Sequence, residues 1–395
     1  MQMDPPANRP THHFNFHGNG AEYFGIWIVN LLLSIVTLGI YSAWAKVRTN
    51  NYFYGNTELD GDRFEYLATP MQILIGRIIA IVAVILWMTL SQMSPKLAIG
   101  LALLLALAFP VLAARNLRFD ARMTRFRNLR FDFAGSYVGA YVVFLLFPIL
   151  AYGLIALCFG LVAWGASMHS VAIIVVGVIA AIGAGIFGYG LTMAAVASYV
   201  INGYRYGTSK FKGKIAISAY VKIALGAATA LVLSMLLIAL AMLPIGLSEL
   251  VQAAMQGASM EDIQQDRQLA MTLAGMMFGG YLALLLAGLL VFAFVKVKIR
   301  NYVLGQVQLE NKLQLGSNLT VAGFLGLVVT NLLLTAFTLG LGRPWVEVRT
   351  ARYLANHTQV SGDMGFTEAR DHNGGRDNAI ADEMVDAFDL NIAVI

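Results

Sequence analysis

The sequence predicts an all-α polytopic membrane bundle, six full spans plus two re-entrant or short-spanning terminal helix pairs, with small cytoplasmic β-hairpins arising from internal repeats. Three observations predict it. Of 395 residues, 58% are hydrophobic and only 12% charged, with a mean hydropathy of +0.69, well outside soluble globular usage. Apolar runs recur that are long enough to cross a bilayer, which takes roughly 17 to 25 residues. Lys and Arg gather in alternate loops only, the bias that keeps short basic loops in the cytoplasm.

The opening residues 1–13, MQMDPPANRPTHH, are polar and read as a mobile N-terminal arm ahead of a single repeat-built transmembrane domain at 14–366. The run at 21–44 is too long for the apolar core of a signal peptide, and no small-residue cleavage site follows it. Full spans are read at 71–94, 96–114, 136–165, 169–200, 219–246 and 268–295, with another apolar run at 318–341. The basic loops at 115–130, 205–214 and 296–312 are expected in the cytoplasm. The loops at 91–96, 165–170 and 247–267, the last carrying Glu249, Glu261, Asp262 and Asp266, are expected outside. Residues 367–395 hold seven acids against Arg370 and Arg376 and read as an acidic, mostly disordered tail.

Five pentapeptides recur within or beside the basic loops: TELDG at 57–61, TRFRN at 124–128, SKFKG at 209–213, VQLEN at 307–311 and TQVSG at 358–362. Each has a β-branched or hydroxyl residue, an apolar residue two positions on, and Gly or Asn two positions after that. A two-residue hairpin turn favours Gly or Asn at its second central position, where positive φ strains a Cβ. Alternation follows in Phe64 and Tyr66, Phe131 and Phe133, Ile215 and Ile217, Leu313 and Leu315, and Met364 and Phe366, the period of a half-buried strand. The register after the turn varies by one residue, which predicts a bulge or another turn type in some copies. Phe14 and Phe16 read as an orphan second strand. The expected product is a small antiparallel sheet against the cytoplasmic face, since several paired hairpins are stable where one alone is marginal.

Residues 37–49, TLGIYSAWAKVRT, are nearly rewritten at 338–350 as TLGLGRPWVEVRT, which matches Trp44 with Trp345, Arg48 with Arg349 and, further out, Asn30 with Asn331. If 21–44 and 318–341 both crossed fully, Arg343, Arg349 and Arg352 would fall outside, against the charge bias, and the two segments would be oppositely oriented as in inverted-repeat transporters. In the favoured alternative the chain turns at Gly39 and Gly340, dips without crossing, and returns through a short amphipathic helix. Its interfacial motif is Trp44, Lys46, Arg48, Trp345 and Arg349, and Pro344 suits a first helical turn. The stretch TLGIYSAWAKVRTNNYFYGNTELDG, preceded by FHGNGAEYF, resembles the YjgN-like family of bacterial inner-membrane proteins. The likeness covers most of the chain and extends to the second copy and to DEMVDAFDL in the tail. It implies an inner-membrane location and a multi-pass fold, and carries over no catalytic or binding residue.

Chemical motifs are few. GAGIFG at 183–188 satisfies GxGxxG, but it lies inside an apolar run with no preceding strand and no acid about twenty positions on, so it reads as a helix-packing patch. His12, His13 and His17 lie in the polar N-terminal stretch without acidic or cysteine partners at ligand spacing, so no metal is implied. The single cysteine, Cys158, excludes an internal disulfide. Hydrolase motifs are missing, and the chain reads as a non-enzyme without a cofactor. The candidate intramembrane polar site is Asn30, Asn331 and Glu22, where paired amides either hold helices together or line a shared pocket. Arg115, Arg118, Arg122, Arg125, Arg127 and Arg130 read as contacts for anionic lipid headgroups, each contributing about 1 kcal/mol, rather than for nucleic acid.

The function expected from these features is that of an inner-membrane transporter or lipid-handling protein, its site between the matched end units. The alternative is a non-catalytic membrane scaffold whose basic cytoplasmic face binds a protein partner or anionic lipid. The tail, with an apolar stripe of Ile380, Met384, Val385, Phe388 and Ile392, is expected to dock on that basic face.

Overall fold

A computed structural model describes residues 10–255 and 267–365. The acidic tail at 367–395, residues 256–266 of the acidic loop and most of the arm lie outside the described residues. The arm reading is corrected at its end, because β1 (Thr11–Phe16) already begins there. From β1 the chain runs through α1 (Gly20–Val36) and α2 (Ser42–Gly55) into the hairpin of β2 (Thr57–Leu59) and β3 (Asp62–Tyr66). Next come α3 (Pro70–Met93), α4 (Pro95–Arg122), β4 (Thr124–Phe126) and β5 (Leu129–Phe133). The third passage is α5 (Tyr137–Ser167), α6 (Val171–Gly203), β6 (Tyr204–Tyr206) and β7 (Ser209–Lys212). Then follow α7 (Ile217–Met255), α8 (Arg267–Gln306), β8 (Gln308–Leu309) and β9 (Leu313–Ser317). The chain closes with α9 (Val321–Phe337), α10 (Arg343–Asn356) and β10 (Thr358–Gly362).

All ten strands join one closed antiparallel barrel in the order β1-β10-β9-β8-β7-β6-β5-β4-β3-β2. This corrects the expected fold class: the chain is helical for most of its length but is no all-α bundle, and its hairpins are not small separate additions. The physical reason is twofold. Strands of two to six residues are at or below the length over which alternation becomes legible. Closure, moreover, pairs β1 with β10 from opposite ends of the chain, Thr11 facing Ser361 and His13 facing Gln359. The orphan strand at Phe14 and Phe16 is therefore the missing partner of β10 on one side and of β2 on the other.

The turns explain the uneven register. Asp60-Gly61 and Arg127-Asn128 have positive φ at both central residues, 53° and 83°, and 47° and 63°, as two-residue turns require. The third hairpin closes between Tyr206 and Ser209, around Gly207 at φ 56°. Its first strand is thus YRY at 204–206, Gly207 and Thr208 form the turn, and SKFK at 209–212 is the second strand. With glycine at the first central position, the pentapeptide reading fell one strand too late, so Ile215 lies beyond β7 and Ile217 opens α7. In the fourth hairpin Leu309 pairs with Leu313, leaving Glu310, Asn311 and Lys312 in the loop. The fifth pentapeptide forms β10; Met364 packs into the barrel without joining a strand, and Phe366 lies outside the described residues.

The barrel is filled. Leu59, Phe126, Leu129, Tyr206, Leu309, Val360 and Met364 are buried inside it, with Phe14, Phe64, Phe131 and Phe211 packed against them. Aromatic side chains are what a ten-stranded barrel needs, because aliphatic side chains fill eight strands and leave space in ten. Phe64 and Phe126 stack with centroids 4.6 Å apart, and Phe131 lies 4.9 Å from Tyr206. The Tyr206 hydroxyl donates to the Phe126 carbonyl at 2.9 Å, and burial pushes its phenol up to about 12. A strand needs about 9 to 11 residues to cross a bilayer, so the barrel is neither long enough to span nor hollow enough to conduct.

Among the described residues six helices are long and apolar enough to span: Pro70–Met93, Pro95–Arg122, Tyr137–Ser167, Val171–Gly203, Ile217–Pro244 and Ala274–Gln306. At 17 residues each, α1 and α9 extend roughly 26 Å, short of the roughly 30 Å hydrocarbon core. Local chemistry sets the helix starts. Asn19 caps α1 by accepting from the Ala21 N–H at 2.9 Å, and Thr69 and Gln72 form a capping box ahead of Pro70 at the start of α3. A π-helical turn at Val142–Leu146 precedes Pro148, where the missing proline donor interrupts the ordinary ladder. Within GAGIFG only Gly188 meets a neighbour, since a Cβ there would stand 2.8 Å from that of Ala151, while Gly183 and Gly185 face open space.

Two compact units are distinguished by their contacts. One holds the barrel, α1 to α6 and α10; the other is formed by Lys222–Ile299 with Thr320–Leu332. Within the second, Phe292 and Phe324 lie with ring centroids 6.4 Å apart.

Candidate functional site

Each helix pair connects neighbouring strands at the rim opposite the tight turns, so one end of the barrel is a seam where helices enter and leave. At the seam α2, α4 and α10 run into their strands with a single residue between. The first strand residue closes each joint. Thr57 Oγ1 donates to the Phe53 carbonyl at 2.8 Å, Thr124 to Asp120 at 3.0 Å and Thr358 to Leu354 at 2.7 Å. Carbonyls of the last helical turn lack partners within the helix, and these hydroxyls supply them. That is the physical content of the hydroxyl that opens three of the pentapeptides.

Two cavities sit at this seam and share Tyr54 and Thr124 in their walls. One, of about 280 Å³, is walled by Tyr54, Asp120, Tyr204 and Phe211 among others. The other, of about 420 Å³, lies among Phe14, Phe53, Phe64, Arg300, Leu354 and Thr358. Both are mainly apolar with a few polar groups turned inward, the usual composition of a small-molecule site. Burial raises the Tyr54 phenol above its ordinary value, opposed by a hydrogen bond with Thr124 and reinforced by Asp120. Burial likewise raises Tyr204, with Asp120 adding to it.

The sequence-derived site residues fall elsewhere. Asn30 is buried, at 5% exposure; its Nδ2 donates to the Ala45 carbonyl at 3.5 Å and its Oδ1 has no hydrogen-bond partner. Asn331 is buried on α9 and belongs to the second unit. Glu22 is exposed in the first turn of α1, where its Oε2 accepts from the Tyr52 hydroxyl at 3.3 Å. Eight residues of helix, roughly 12 Å, separate it from Asn30. Trp44 packs against the buried cluster that includes Val47, Tyr66, Ile73 and Phe119 and lies 6.1 Å from Tyr41; Trp345 lies 5.2 Å from Phe24 on α1. Lys46 lies on α2 beside the buried Val47, while Arg48 and Arg349 are exposed.

The TLG that opens both copies has a local reason. Thr37 Oγ1 donates to the Leu33 carbonyl at 2.7 Å and accepts from the Tyr41 N–H at 2.9 Å. Thr338 does the same with Leu334 at 2.6 Å and Gly342 at 2.7 Å. Leu38 and Gly39 then take left-handed φ of 51° and 91°, and Leu339 and Gly340 of 51° and 90°. Leucine there is strained by about 1–2 kcal/mol, yet both leucines stand free at the tips, 94% and 92% exposed.

Most of the arginine cluster is engaged inside the protein. Arg115 lies on α4 with its Nε buried; Arg118 donates to the Phe133 carbonyl at 3.1 Å and to the Tyr137 hydroxyl at 3.2 Å. Arg122 bonds Asp132 at 3.0 Å and Arg125 pairs with Glu65. Arg127 clasps the turn rim, donating to Asp60 Oδ2 at 2.7 Å and to the Met364 carbonyl at 2.9 Å. The Arg127 hydrogen bond, helped by His12, holds the Asp60 carboxyl below the usual carboxylate range. Arg130 is exposed directly opposite Arg125, and Arg205 is opposite Lys210. His12 and His17, which imply no metal by their spacing, contact Asp60 and Glu58 at 2.8 Å each.

Among the described residues, six apolar helices long enough to span and a short filled barrel fed by helix pairs at one rim define a multi-pass membrane protein with a non-spanning barrel. The chain belongs to the family described as "Bacterial protein of unknown function (DUF898)", whose model matches residues 11–387. It is 27% identical over 363 residues, 91% of this chain and 90% of the relative, to inner membrane protein YjgN of Salmonella typhimurium. It is 28% identical over 364 residues, 90% of each chain, to inner membrane protein YjgN of Escherichia coli K12. No solved structure matches the chain. The protein is thus a multi-pass inner-membrane protein, and the family resemblance read from its sequence holds.

Proposed function

We propose that this protein handles lipid at the cytoplasmic leaflet of the inner membrane, without enzymatic chemistry, and that its five strand–helix pair–strand passages are copies of one internal repeat. The observation that carries the reading is the pair of terminal turns, Leu38-Gly39 and Leu339-Gly340, with strained, exposed leucines at their tips. Strain retained at an exposed position points to use, and an apolar tip on a helix pair too short to span is suited to wedge into one leaflet. The seam cavity of about 420 Å³ lies at the base of both terminal pairs, against α2 and α10, where a lipid drawn from that leaflet would arrive. The charge bias of the basic strands supports a cytoplasmic position for this rim. A filled barrel favours lipid handling over solute transport through it.

Asn30 and Asn331, each buried on its own helix, remain proposed intramembrane polar residues of this reading. The expected result is that protein extracted gently from membranes retains phospholipid, and that Leu38→Asp/Leu339→Asp loses most of it while staying monodisperse. Unchanged retention by that variant, quantified by mass spectrometry, overturns the reading.

The second reading, a scaffold, draws on the outer barrel face. Like charges directly opposite on neighbouring strands, Arg125 with Arg130 and Arg205 with Lys210, cost stability, and an external anionic surface or partner would relieve that cost.

A further inference from the structure

We infer that Arg300 is the anion anchor of a binding site for a single-chain amphiphile with an oxyanion head, phosphate or carboxylate, held in the seam cavity; this deepens and rests on the lipid-handling reading. Arg300 lies near the end of α8 and lines the cavity of about 420 Å³. Its Nη2 donates to Thr358 Oγ1 at 3.0 Å, a hydroxyl whose own proton goes to the Leu354 carbonyl. Its Nε is shut away from solvent with no hydrogen-bond partner. Among the described residues no carboxylate pairs with Arg300.

A half-buried guanidinium without a counter-charge is costly, and such a cation inside a membrane protein is ordinarily retained for a ligand. Its planar fork suits a two-oxygen contact with phosphate or carboxylate. Around it the wall turns apolar, with Phe14, Phe53, Phe64 and Leu354 giving a surface for an alkyl chain. Thr57, Thr124 and Thr358 also line the cavity, all with their protons committed to helix carbonyls, so the guanidinium, with the Tyr54 phenol beside it, is left to donate to an anionic head. A volume of about 420 Å³ is at the lower end of the range for small-ligand pockets, which points to one chain rather than a complete two-chain phospholipid.

The test uses full-length protein in neutral-lipid nanodiscs and a twelve-carbon phosphate monoester bearing a diazirine near the chain end. Irradiation is expected to label residues 53–57 or 351–358. Labelling is expected to fall roughly tenfold or more, the value of one charged hydrogen bond, in Arg300→Met, and to be kept in large part by Arg300→Lys. The matching twelve-carbon carboxylate is expected to compete, and the alcohol not. Because Arg300→Met removes an uncompensated charge, its melting temperature in the absence of probe is expected to equal or exceed that of the parent.

Equal labelling of Arg300→Met, or equal competition by the alcohol, overturns the anchor. Complete displacement by millimolar inorganic phosphate alone shows a site for the free ion and overturns the amphiphile assignment. A lowered melting temperature with labelling unchanged assigns Arg300 to structure instead. If the anchor fails while co-extracted phospholipid still depends on Leu38 and Leu339, this site is lost and the lipid-handling reading stands.

Discussion

Phe126→Ala is expected to destabilise the barrel by roughly 3–5 kcal/mol, the range for deleting a buried aromatic ring. Phe126 is 5% exposed, stacks on Phe64 at 4.6 Å and lies 6.3 Å from Tyr206. The barrel interior has few ways to collapse around the loss, since each inward side chain is tethered to a strand paired on both sides and interiors relax only partly. Phe126→Leu keeps most of the volume and is expected to cost under about 2 kcal/mol, in line with milder core changes. The Tyr206 hydroxyl bonds the backbone carbonyl of residue 126, so both variants retain it and the difference reports packing. Thermal unfolding followed by near-ultraviolet dichroism, with strand amide exchange as a second probe, measures it. Equal midpoints for Phe126→Ala and the parent would remove the barrel core as a source of stability.

Gly203→Ala is expected to cost about 1–3 kcal/mol, although alanine is the better helix former, because a Cβ at that position overfills a packed joint. It would stand 2.2 Å from Cε2 of Phe133. Phe133 has no room to retreat: it is fully buried and held edge-on by Tyr199 and Tyr204 at 5.4 and 5.5 Å. The Gly203 carbonyl also accepts from the Ala134 N–H at 2.8 Å, which ties the end of α6 to β5. Gly183→Ala, facing open space on the same helix, is expected to be neutral or slightly stabilising. The contrast between the two, read as the shift in thermal midpoint, separates crowding at the seam from helix propensity.

What was legible in the sequence tracks how local each feature is. Six spans follow from composition over windows of about twenty residues, and a single passage of chain carries that information. The turns at Asp60-Gly61 and Arg127-Asn128 were equally local. Gly207 misled because hairpin turns accept glycine at either central position, and strands three or four residues long offered no alternation to correct the register. Closure of β1 onto β10 was not legible at all, since His12 and Val360 meet only through the topology of the whole chain. The polar site fared similarly. Asn30 and Asn331 drew notice by matching each other, whereas Arg300 looked like one cation among Lys296, Lys298 and Lys312 in a basic stretch. Its unpaired Nε emerges only once β10 brings Thr358 against it.

The two ends of the chain close one barrel through β1 and β10, and a cross-link between them tests that closure most directly. His13 and Gln359 are opposite residues on β1 and β10, and opposite residues in antiparallel strands fall within the Cα separation a disulfide requires. In a Cys158→Ser background, His13→Cys/Gln359→Cys is expected to form an intramolecular disulfide on mild oxidation in membranes, seen as a reducible gel shift. His13→Cys/Gln314→Cys, with the second cysteine one strand further round on β9, is expected not to. No cross-link in the first pair, or equal cross-linking in both, would contradict the closed barrel.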